Sequence, residues 1–581
     1  MEELEEEINP QKLEDFKVPD IDPAKRERRI HCLKTIFFFL LAILIIIVII
    51  IIIFSIRKKG YVQINCKFLA GNETVQLINE KAVKNLEFDL SINGKKEKKA
   101  KYNYKFQKSG EYKVSFTFHK QLTSLKDFFN NLSQLREIDL SKVSPDAFED
   151  ITQLFVDCES LQKVIFGKKK KKINYMDEVF SGCNSLKELD MTSFNTEKVE
   201  SMTRVFTGCH SLTSVDLRSF NTENVNTMEG MFSSCYSIKK ISLEKFNFEK
   251  VEDMSLMFSN CENLANITFG ESKTPNLQRM NGIFMGCASL KKLDLHNFIT
   301  ERVDDMSLLF YNCSKLEEID LTNFDTNKVE NMYKMFSNCQ SITNLNLESF
   351  VTSKVKNMKE MFSNCIKLSE INLNNFDTEK VIYFESQFAN CSSFTELDLS
   401  VFSTEEAIEM ESMFSGCTSL TKLNLKNFKN NKLNNVKNMF DGCSNLTSVD
   451  LNFLANSKGL MLTSGMFRNC ISLEKVIFPE IRTFFLYGTD EMFSGCKNLK
   501  NIDIRYANTL NVLNMEKMFY GCNSLTDLDI SNFNTRSLEN SDDIFEGIQN
   551  SNTFKIKYNE NKTQEIAGKI MDNWEKIIFI K

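Results

Sequence analysis

The stretch MFSNCQSITNLNLESFVTSKVKNM, from Met335 to Met358, carries the pattern that decides the fold. The pattern returns every 26 residues from Cys183 to Cys443, with one cysteine in the same place in each copy. Leu132 and Ile548 replace that cysteine 26 residues outside the first and last ladder cysteines, which gives about 17 copies, or rungs. A fixed period of this length is the signature of a repeat solenoid. The ladder cysteines are Cys158, Cys183, Cys209, Cys235, Cys261, Cys287, Cys313, Cys339, Cys365, Cys391, Cys417, Cys443, Cys470, Cys496 and Cys522.

Each copy contains two kinds of periodicity. The L-x-x-L-x-L segment alternates apolar and polar positions, which predicts a short strand with its leucines inward. The V-x-x-M-x-x-M-F-x-x-C segment has spacings of three and four residues, which predict a short helix or 3₁₀ turn. The sequence therefore predicts an α/β solenoid with a parallel β-sheet on one face and short helices or 3₁₀ turns on the other. Strands about 4.8 Å apart would extend this sheet over roughly 80 Å.

The period also explains an unusual composition of 50 Phe, 24 Met and 17 Cys. One residue of each rung occupies the same interior position, so Phe and Met form core ladders. Equivalent cysteines point in parallel, whereas a disulfide needs converging Cβ vectors, so we expect mostly buried free thiols. A threonine, such as Thr300 or Thr326, precedes many V-x-x-M segments. We expect its hydroxyl to cap the helical turn that follows, and the alternative is an exposed row that binds ordered water.

The repeat resembles that of BspA-like leucine-rich-repeat surface proteins of microbes. The phrase that carries the resemblance is S-L-x-x-L-D-L-S-x-F-x-T-x-x-V-x-x-M-x-x-M-F-x-x-C, over about residues 122–550. The resemblance implies a leucine-rich-repeat solenoid on a cell surface, with adhesion or binding as its role. One departure is the corner, where Phe194 or Phe324 stands in place of the Asn or Cys of ordinary leucine-rich repeats.

The ends of the chain differ from the repeat. Thr35 to Ile56 is a run of 22 residues without charge, long enough for a transmembrane helix. Five Lys or Arg precede this run within 15 residues and four follow it, a slight asymmetry that favours a cytoplasmic N-terminus. We predict a disordered cytoplasmic tail at 1–34, a membrane span at 35–56 and a β-rich N-terminal cap at 57–121. The solenoid would occupy 122–550, and a C-terminal cap with a helix containing Trp574 would occupy 551–581.

The outward-facing strand positions form the candidate binding face, because solenoids bind partners along such extended surfaces. The alternative is that these polar positions are merely solvated. A flat row supplies too few oxygens for Ca²⁺, so we expect no metal site. The residues of this Asp row are Asp190, Asp216, Asp294, Asp320, Asp398, Asp450, Asp503 and Asp529.

Two further groups of residues are candidates for surface functions. The five-lysine insert Lys168, Lys169, Lys170, Lys171 and Lys172 predicts a basic patch, either solvated or in contact with an anionic glycan or lipid. Asparagines in N-x-S/T sequons are possible glycosylation sites: Asn72, Asn131, Asn266, Asn445 and Asn561. Asn312 and Asn390 also lie in sequons, but they directly precede ladder cysteines, so we expect them to be poorly accessible.

The sequence contains no motif that favours an enzyme. It has four His and no phosphate loop, dinucleotide fingerprint, catalytic triad order or zinc spacing, so we expect no cofactor. A net charge of −6 gives no indication of nucleic-acid binding. The oligomeric state stays open.

Two functional hypotheses follow. The first is a single-pass membrane protein whose extracellular solenoid binds a protein or glycan ligand, on another cell or in a matrix. The alternative is a membrane-anchored intracellular scaffold, which a reducing compartment would suit because of the many free thiols.

Overall fold

A computed structural model describes residues 22–58, 61–480, 486–505, 507–548, 554–559, 561–563, 565–566 and 578–580. Trp574 and residues 567–577 therefore lie outside the described residues. The helices are α1 (Pro23–Lys58) and α2 (Glu80–Val83), and 3₁₀ turns span Pro145–Phe148 and Asn452–Leu454. The strands are β1 (Val62–Ala70), β2 (Thr74–Gln76), β3 (Phe88–Ile92), β4 (Lys95–Lys96), β5 (Asn103–Lys105), β6 (Gly110–Phe118), β7 (Leu135–Asp139), β8 (Lys163–Ile165), β9 (Lys171–Lys172), β10 (Phe194–Asn195), β11 (Lys240–Ser242), β12 (Asn266–Thr268), β13 (Lys292–Leu293), β14 (Glu318–Ile319), β15 (Asn344–Leu345), β16 (Glu370–Ile371), β17 (Glu396–Asp398), β18 (Lys422–Asn424), β19 (Ser448–Asp450), β20 (Lys475–Ile477), β21 (Asn501–Ile502), β22 (Asp527–Asp529), β23 (Lys555–Lys557) and β24 (Ile578–Ile580).

The chain forms a parallel β-solenoid of about 16 turns, which confirms the predicted fold class. Strands of neighbouring rungs pair in parallel at the repeat distance, as Lys240 does with Asn266. The strand face is not one continuous sheet, however, because β9 to β20 form separate two-stranded sheets of two or three residues per strand. The unbroken ladder lies at the other side of the rung, where single bridges link one rung to the next from Ser201 to Asn540.

The return segments consist of tight turns, and the short helices expected there are few. In the rung of Cys209, Arg204 and Gly208 adopt positive φ angles of 53° and 72°. The N–H of Cys209 donates to Phe206 O within the rung at 3.1 Å, and the N–H of Phe206 donates to Met231 O of the next rung at 2.9 Å. Turns of 3₁₀ spacing therefore do form, but two left-handed residues four positions apart in the rung prevent these turns from continuing as a helix.

The interior consists of the predicted ladders. The ring of Phe310 stacks between those of Phe284 and Phe336, at centroid distances of 5.8 and 5.5 Å. All ladder cysteines are free and buried, as expected. Each thiol also has a polar role that the sequence did not reveal, since the Sγ of Cys339 donates to Phe310 O of the preceding rung at 3.2 Å.

The threonine ladder corrects an expectation. The buried hydroxyl of Thr300 donates to Asp325 O and accepts from the N–H of the same Asp325, both at 2.8 Å. Asp325 belongs to the next rung, so the hydroxyl joins two rungs and caps no helix of its own. Because these hydroxyls are buried, the row offers no surface to ordered water.

An antiparallel unit precedes the solenoid. Its sheet has the order β4-β3-β6-β1-β7-β8, and β1 pairs antiparallel with both β6 and β7. Because β7 pairs in parallel with β8 of the next rung, the unit and the first rungs share one sheet. Before this unit, α1 contains the 20-residue segment His31–Ile50, which is long and apolar enough to cross a membrane and is unburied.

Candidate binding face and groove

Every member of the Asp row accepts a backbone hydrogen bond, and six of the eight stand at or directly after the end of a strand. The Oδ1 of Asp320, for example, accepts from the N–H of Thr322 at 3.0 Å, which closes a tight turn. The same bond is made by all eight predicted residues, namely Asp190, Asp216, Asp294, Asp320, Asp398, Asp450, Asp503 and Asp529. The row is therefore first a structural device, and one carboxylate oxygen of each residue is already engaged.

These hydrogen bonds keep the carboxylates charged. The side-chain hydrogen bond from Arg218 lowers the pKa of Asp216 to about 2. The backbone and hydroxyl donors of Thr322 lower the pKa of Asp320, and Ser400 acts in the same way on Asp398. Asp216, Asp320 and Asp398 are therefore ionised near neutral pH.

Much of the neighbouring charge is paired across rungs. The Nζ of Lys292 lies 2.7 Å from Glu318, and that of Lys422 lies 2.6 Å from Glu396. These pairs are solvent-exposed, so each contributes little to stability. They nevertheless neutralise the charge of the strand face at those rungs.

The predicted basic patch contains four lysines rather than five. Lys168, Lys169, Lys170 and Lys172 are exposed, but Lys171 is buried. The Nζ of Lys171 donates to Lys169 O at 2.7 Å and to the hydroxyl of Ser193 at 3.1 Å, and burial lowers its pKa to about 8. Lys171 thus stabilises the corner through these hydrogen bonds and is not available to a partner.

The sequon asparagines are exposed at Asn72, Asn131, Asn266, Asn445 and Asn561. The threonine of the last sequon, Thr563, is buried, so that site is only half accessible. Asn312 and Asn390 are also exposed, contrary to expectation. Both adopt positive φ angles, of 60° and 58°, which turn the asparagine away from the buried cysteine that follows.

A groove of about 750 Å³ opens at the carboxyl ends of the strands, between the rungs of Phe220 and Ser272. Glu244 and Lys245 line it and also line an adjoining depression that reaches Asp216 and Arg218. This groove lies beside the Asp row and was not predicted from the sequence.

The groove lies where two residues have exchanged places between adjacent rungs. The corner phenylalanine, present at Phe246 and Phe298, is replaced by Ser272, and the ladder threonine, present at Thr222 and Thr274, is replaced by Phe248. The exchange is visible in the sequence, because Ser272 interrupts the Phe ladder and Phe248 interrupts the Thr ladder in adjacent rungs.

The exchange is compensated inside the protein. The ring of Phe248 is buried, and its centroid lies 6.1 Å from those of Phe246 and Phe269. The hydroxyl of Ser272 accepts from the N–H of Phe248 at 2.8 Å, so a hydroxyl still joins these two rungs where the ladder threonine is missing. The core is thereby kept intact while the corner at Ser272 is left without its large side chain.

A glycine shapes the wall of the groove. Gly270 has a φ of +73°, and a Cβ at this position would lie 2.6 Å from Glu244 O. Only glycine allows the two backbones to approach so closely.

The groove carries unpaired negative charge. Glu223, Glu244 and Glu271 are exposed, and within the described residues their carboxylates form no ion pair. The groove therefore differs from the strand face at Lys292 and Lys422, where Glu318 and Glu396 are neutralised. It can accept hydrogen bonds from cationic side chains.

The comparisons with known proteins identify a family and weak structural likenesses. The model of the family described as "Mycoplasma protein of unknown function, DUF285" matches residues 123–243, 149–268, 236–349, 263–372, 341–453, 364–478 and 461–573. No curated protein matches. None of the matches indicates an enzyme family.

Three solved structures illustrate the structural likeness. A leucine-rich repeat protein from Eubacterium ventriosum is 16% identical with a TM-score of 0.26, over 56% of this chain and 82% of that one. The mouse RP105/MD-1 complex is 14% identical with a TM-score of 0.20, over 72% of this chain and 75% of that one. The functional domain of InlJ from Listeria monocytogenes, which includes a cysteine ladder, is 14% identical with a TM-score of 0.16, over 66% of this chain and 70% of that one.

Proposed function

The chain belongs to the family described as Mycoplasma protein of unknown function, DUF285, and we propose that it is a membrane-anchored binding protein whose groove takes a basic segment of a protein ligand. The observation that carries this proposal is the set of unpaired carboxylates of Glu223, Glu244 and Glu271 around a preformed groove. Preformed concave sites with a few fixed polar groups are the usual places for ligands.

The chemistry of the groove favours protein over glycan. Its two aromatic rings, Phe220 and Phe246, are buried in the corner ladder and offer no face on which a sugar could stack. Three carboxylates at its rim suit Lys or Arg side chains of a peptide. In this proposal the Asp row extends the contact surface along neighbouring rungs.

Membrane attachment is the second part of the proposal. It is supported by the length and hydropathy of His31–Ile50, none of which is buried in the structure. The excess of basic residues before the span favours a solenoid on the extracellular side. An adhesive role would follow if the ligand belongs to another cell or a matrix.

The intracellular scaffold is the alternative function. The free thiols suit a reducing compartment, although their burial protects them in either location. Exposed sequons at Asn72, Asn266 and Asn445 distinguish the two when the chain is expressed in cells with N-glycosylation. Glycans on these residues are expected for the extracellular form, and protease protection of the solenoid in intact cells would identify the scaffold.

The groove is tested by titrating the full chain with octalysine as a probe. The variant Glu244→Gln/Glu271→Gln should bind octalysine at least fivefold more weakly, with a smaller dependence on salt. The control Glu318→Gln/Glu396→Gln changes the net charge equally but removes carboxylates that are already ion-paired. An equal loss of affinity in both variants would reject the groove as the binding site.

A further inference from the structure

The antiparallel unit is tied closely to the apolar helix. Helix α1 ends at Lys58 and β1 begins at Val62, so only three residues separate them. At no more than about 3.6 Å per residue, the start of β1 lies within about 14 Å of the end of the helix. If α1 crosses a bilayer, one edge of this unit must lie at the lipid headgroups.

The strand register identifies that edge. Val62 pairs with Phe118, and Phe118 pairs with Phe88, so β1 starts beside the end of β6 and the start of β3. The N–H of Glu97 donates to Leu90 O, so the chain that follows runs back toward the same edge through Lys98 and Lys99.

The edge presents an aromatic ring and several lysines. The side chain of Tyr61 is 60% exposed, and its ring lies 5.7 Å from that of His119 in an edge-to-face arrangement. Lys142 reaches back to this edge, since its Nζ donates to Gln63 Oε1 at 3.1 Å. We define the headgroup edge by its exposed members Tyr61, Lys98, Lys99, Lys120 and Lys142.

Acidic residues do not cancel this charge. Asp89 is engaged by Lys96 at 2.8 Å and by His119 at 3.3 Å, and the Lys96 hydrogen bond lowers its pKa. Glu87 is the exposed carboxylate nearest to His119 in the strand register. Residues 61–121 as a whole carry 12 Lys against 6 Asp or Glu.

We propose that the headgroup edge docks on the anionic headgroups of the bilayer that α1 spans, an inference that rests on the proposed membrane anchor. Tyrosine favours the membrane–water interface, and lysines near the surface are attracted to anionic lipid. Docking restricts the tilt of the solenoid relative to the membrane and so determines the direction in which the groove faces.

Lysine acetylation of the full chain in nanodiscs tests the docking. Nanodiscs of phosphatidylcholine alone are compared with nanodiscs that also contain phosphatidylserine, whose anionic headgroups supply the charge that the lysines would bind. Lys98, Lys99 and Lys120 should react at least threefold more slowly in the anionic nanodiscs, while Lys240 and Lys475 on the strand face should not change. The protection should disappear at about 0.5 M salt because of screening.

A matched pair of variants locates the docking surface. Lys98→Glu/Lys99→Glu should abolish the protection of Lys120, whereas Lys105→Glu/Lys108→Glu should retain it. Lys105 and Lys108 are exposed on the same unit but lie near Gly110, which pairs with the far end of β1. Equal acetylation rates in the two lipid compositions, or equal effects of the two variants, would overturn the docking.

A separate experiment tests whether α1 anchors the chain in a membrane. Resistance of the chain to alkaline carbonate extraction from cell membranes reports integration of α1. Extraction by carbonate would refute the proposed anchor and the docking together, whereas a retained chain with unprotected lysines would refute the docking alone.

Discussion

The rungs of Phe298, Phe324 and Phe350 differ from those of Phe246 and Ser272 both in their interior residues and in the pairing of their surface charges. In the first group the corner phenylalanine and the ladder threonine recur in every copy, and the charged strand residues pair across rungs. In the second group, the phenylalanine and a hydroxyl have exchanged places at Phe248 and Ser272, and the carboxylates are unpaired.

This difference shows that the regular repeat specifies the core and the backbone hydrogen bonds, whereas departures from the repeat specify the distinctive surface. A regular rung satisfies its core and backbone with residues that every neighbour also has, so it creates no distinctive surface. The exchanged rungs satisfy the same requirements with different residues, and the position released at the corner becomes the groove. In a repeat protein, compensated departures from the consensus are therefore good places to look for a binding site.

The largest expected effect concerns the thiol ladder that both regions share. Burial raises the pKa of Cys261, Cys313, Cys365, Cys417 and Cys522 to about 12. Above about pH 9 the unfolded chain loses these protons and the folded chain retains them, so stability falls as pH rises. In this pH range each thiol lowers the free energy of unfolding by about 1.4 kcal/mol per pH unit.

The urea midpoint of the full chain in detergent should therefore drop steeply between pH 8 and pH 10. Replacing Cys313 and Cys365 by alanine lowers the stability at pH 7 but should make the decline above pH 9 shallower. A decline that keeps its slope in this variant would show that other groups cause it.

The next effect tests the exchange itself by a double-mutant cycle. Phe248→Thr leaves a cavity and should cost about 3 kcal/mol, and Ser272→Phe overpacks the corner against Phe248 and should cost about 2 kcal/mol. Together the two substitutions restore the consensus residues, so the free energy of unfolding of the double variant should lie within about 1 kcal/mol of that of the parent protein.

Urea unfolding measures the cycle, and the double variant should also lose octalysine binding because its groove is filled. Additive losses would mean that Phe248 and Ser272 do not compensate each other. Retained octalysine binding in a folded double variant would place the basic ligand elsewhere.

The smallest effect compares the hydroxyls of the two regions. Thr300→Val removes one donated and one accepted hydrogen bond, at a cost of about 2 kcal/mol, whereas Ser272→Ala removes a single accepted bond at a cost of about 1 kcal/mol. Thr300→Ser serves as the control, since it keeps the hydroxyl. Equal losses of unfolding free energy for Thr300→Val and Ser272→Ala would contradict the difference between the regions.

The sequence predicted the solenoid and its ladders because burial imposes one residue type on each interior position. It did not predict the turn structure, because Arg204 has no side-chain signal for a positive φ angle and the spacing of the apolar residues equally fits a helix. Thr300 was assigned to a helix cap because a sequence shows local neighbours, whereas its partner Asp325 is 25 residues away.

The candidate site was predicted less well than the fold. The Asp row was identified as an exposed line, but its first role, closing the turns that end the strands, depends on backbone geometry. Lys171 was grouped with its neighbours in a charge run, although its side chain is buried and donates hydrogen bonds to Lys169 O and Ser193. The groove left a signal in the Phe and Thr ladders, but only packing shows that Phe248 compensates for Ser272.

The constant distance between rungs has a consequence for how such proteins diverge. Single bridges link each rung to the one before and the one after from Ser201 to Asn540, so a 26-residue unit can be gained or lost without altering the lining of a distant groove. A unit inserted between β8 and β11 would move Glu244 and Glu271 about 4.8 Å further along the axis from the antiparallel unit. Variation in copy number would then change the reach of the binding site in equal steps while its specificity stays the same.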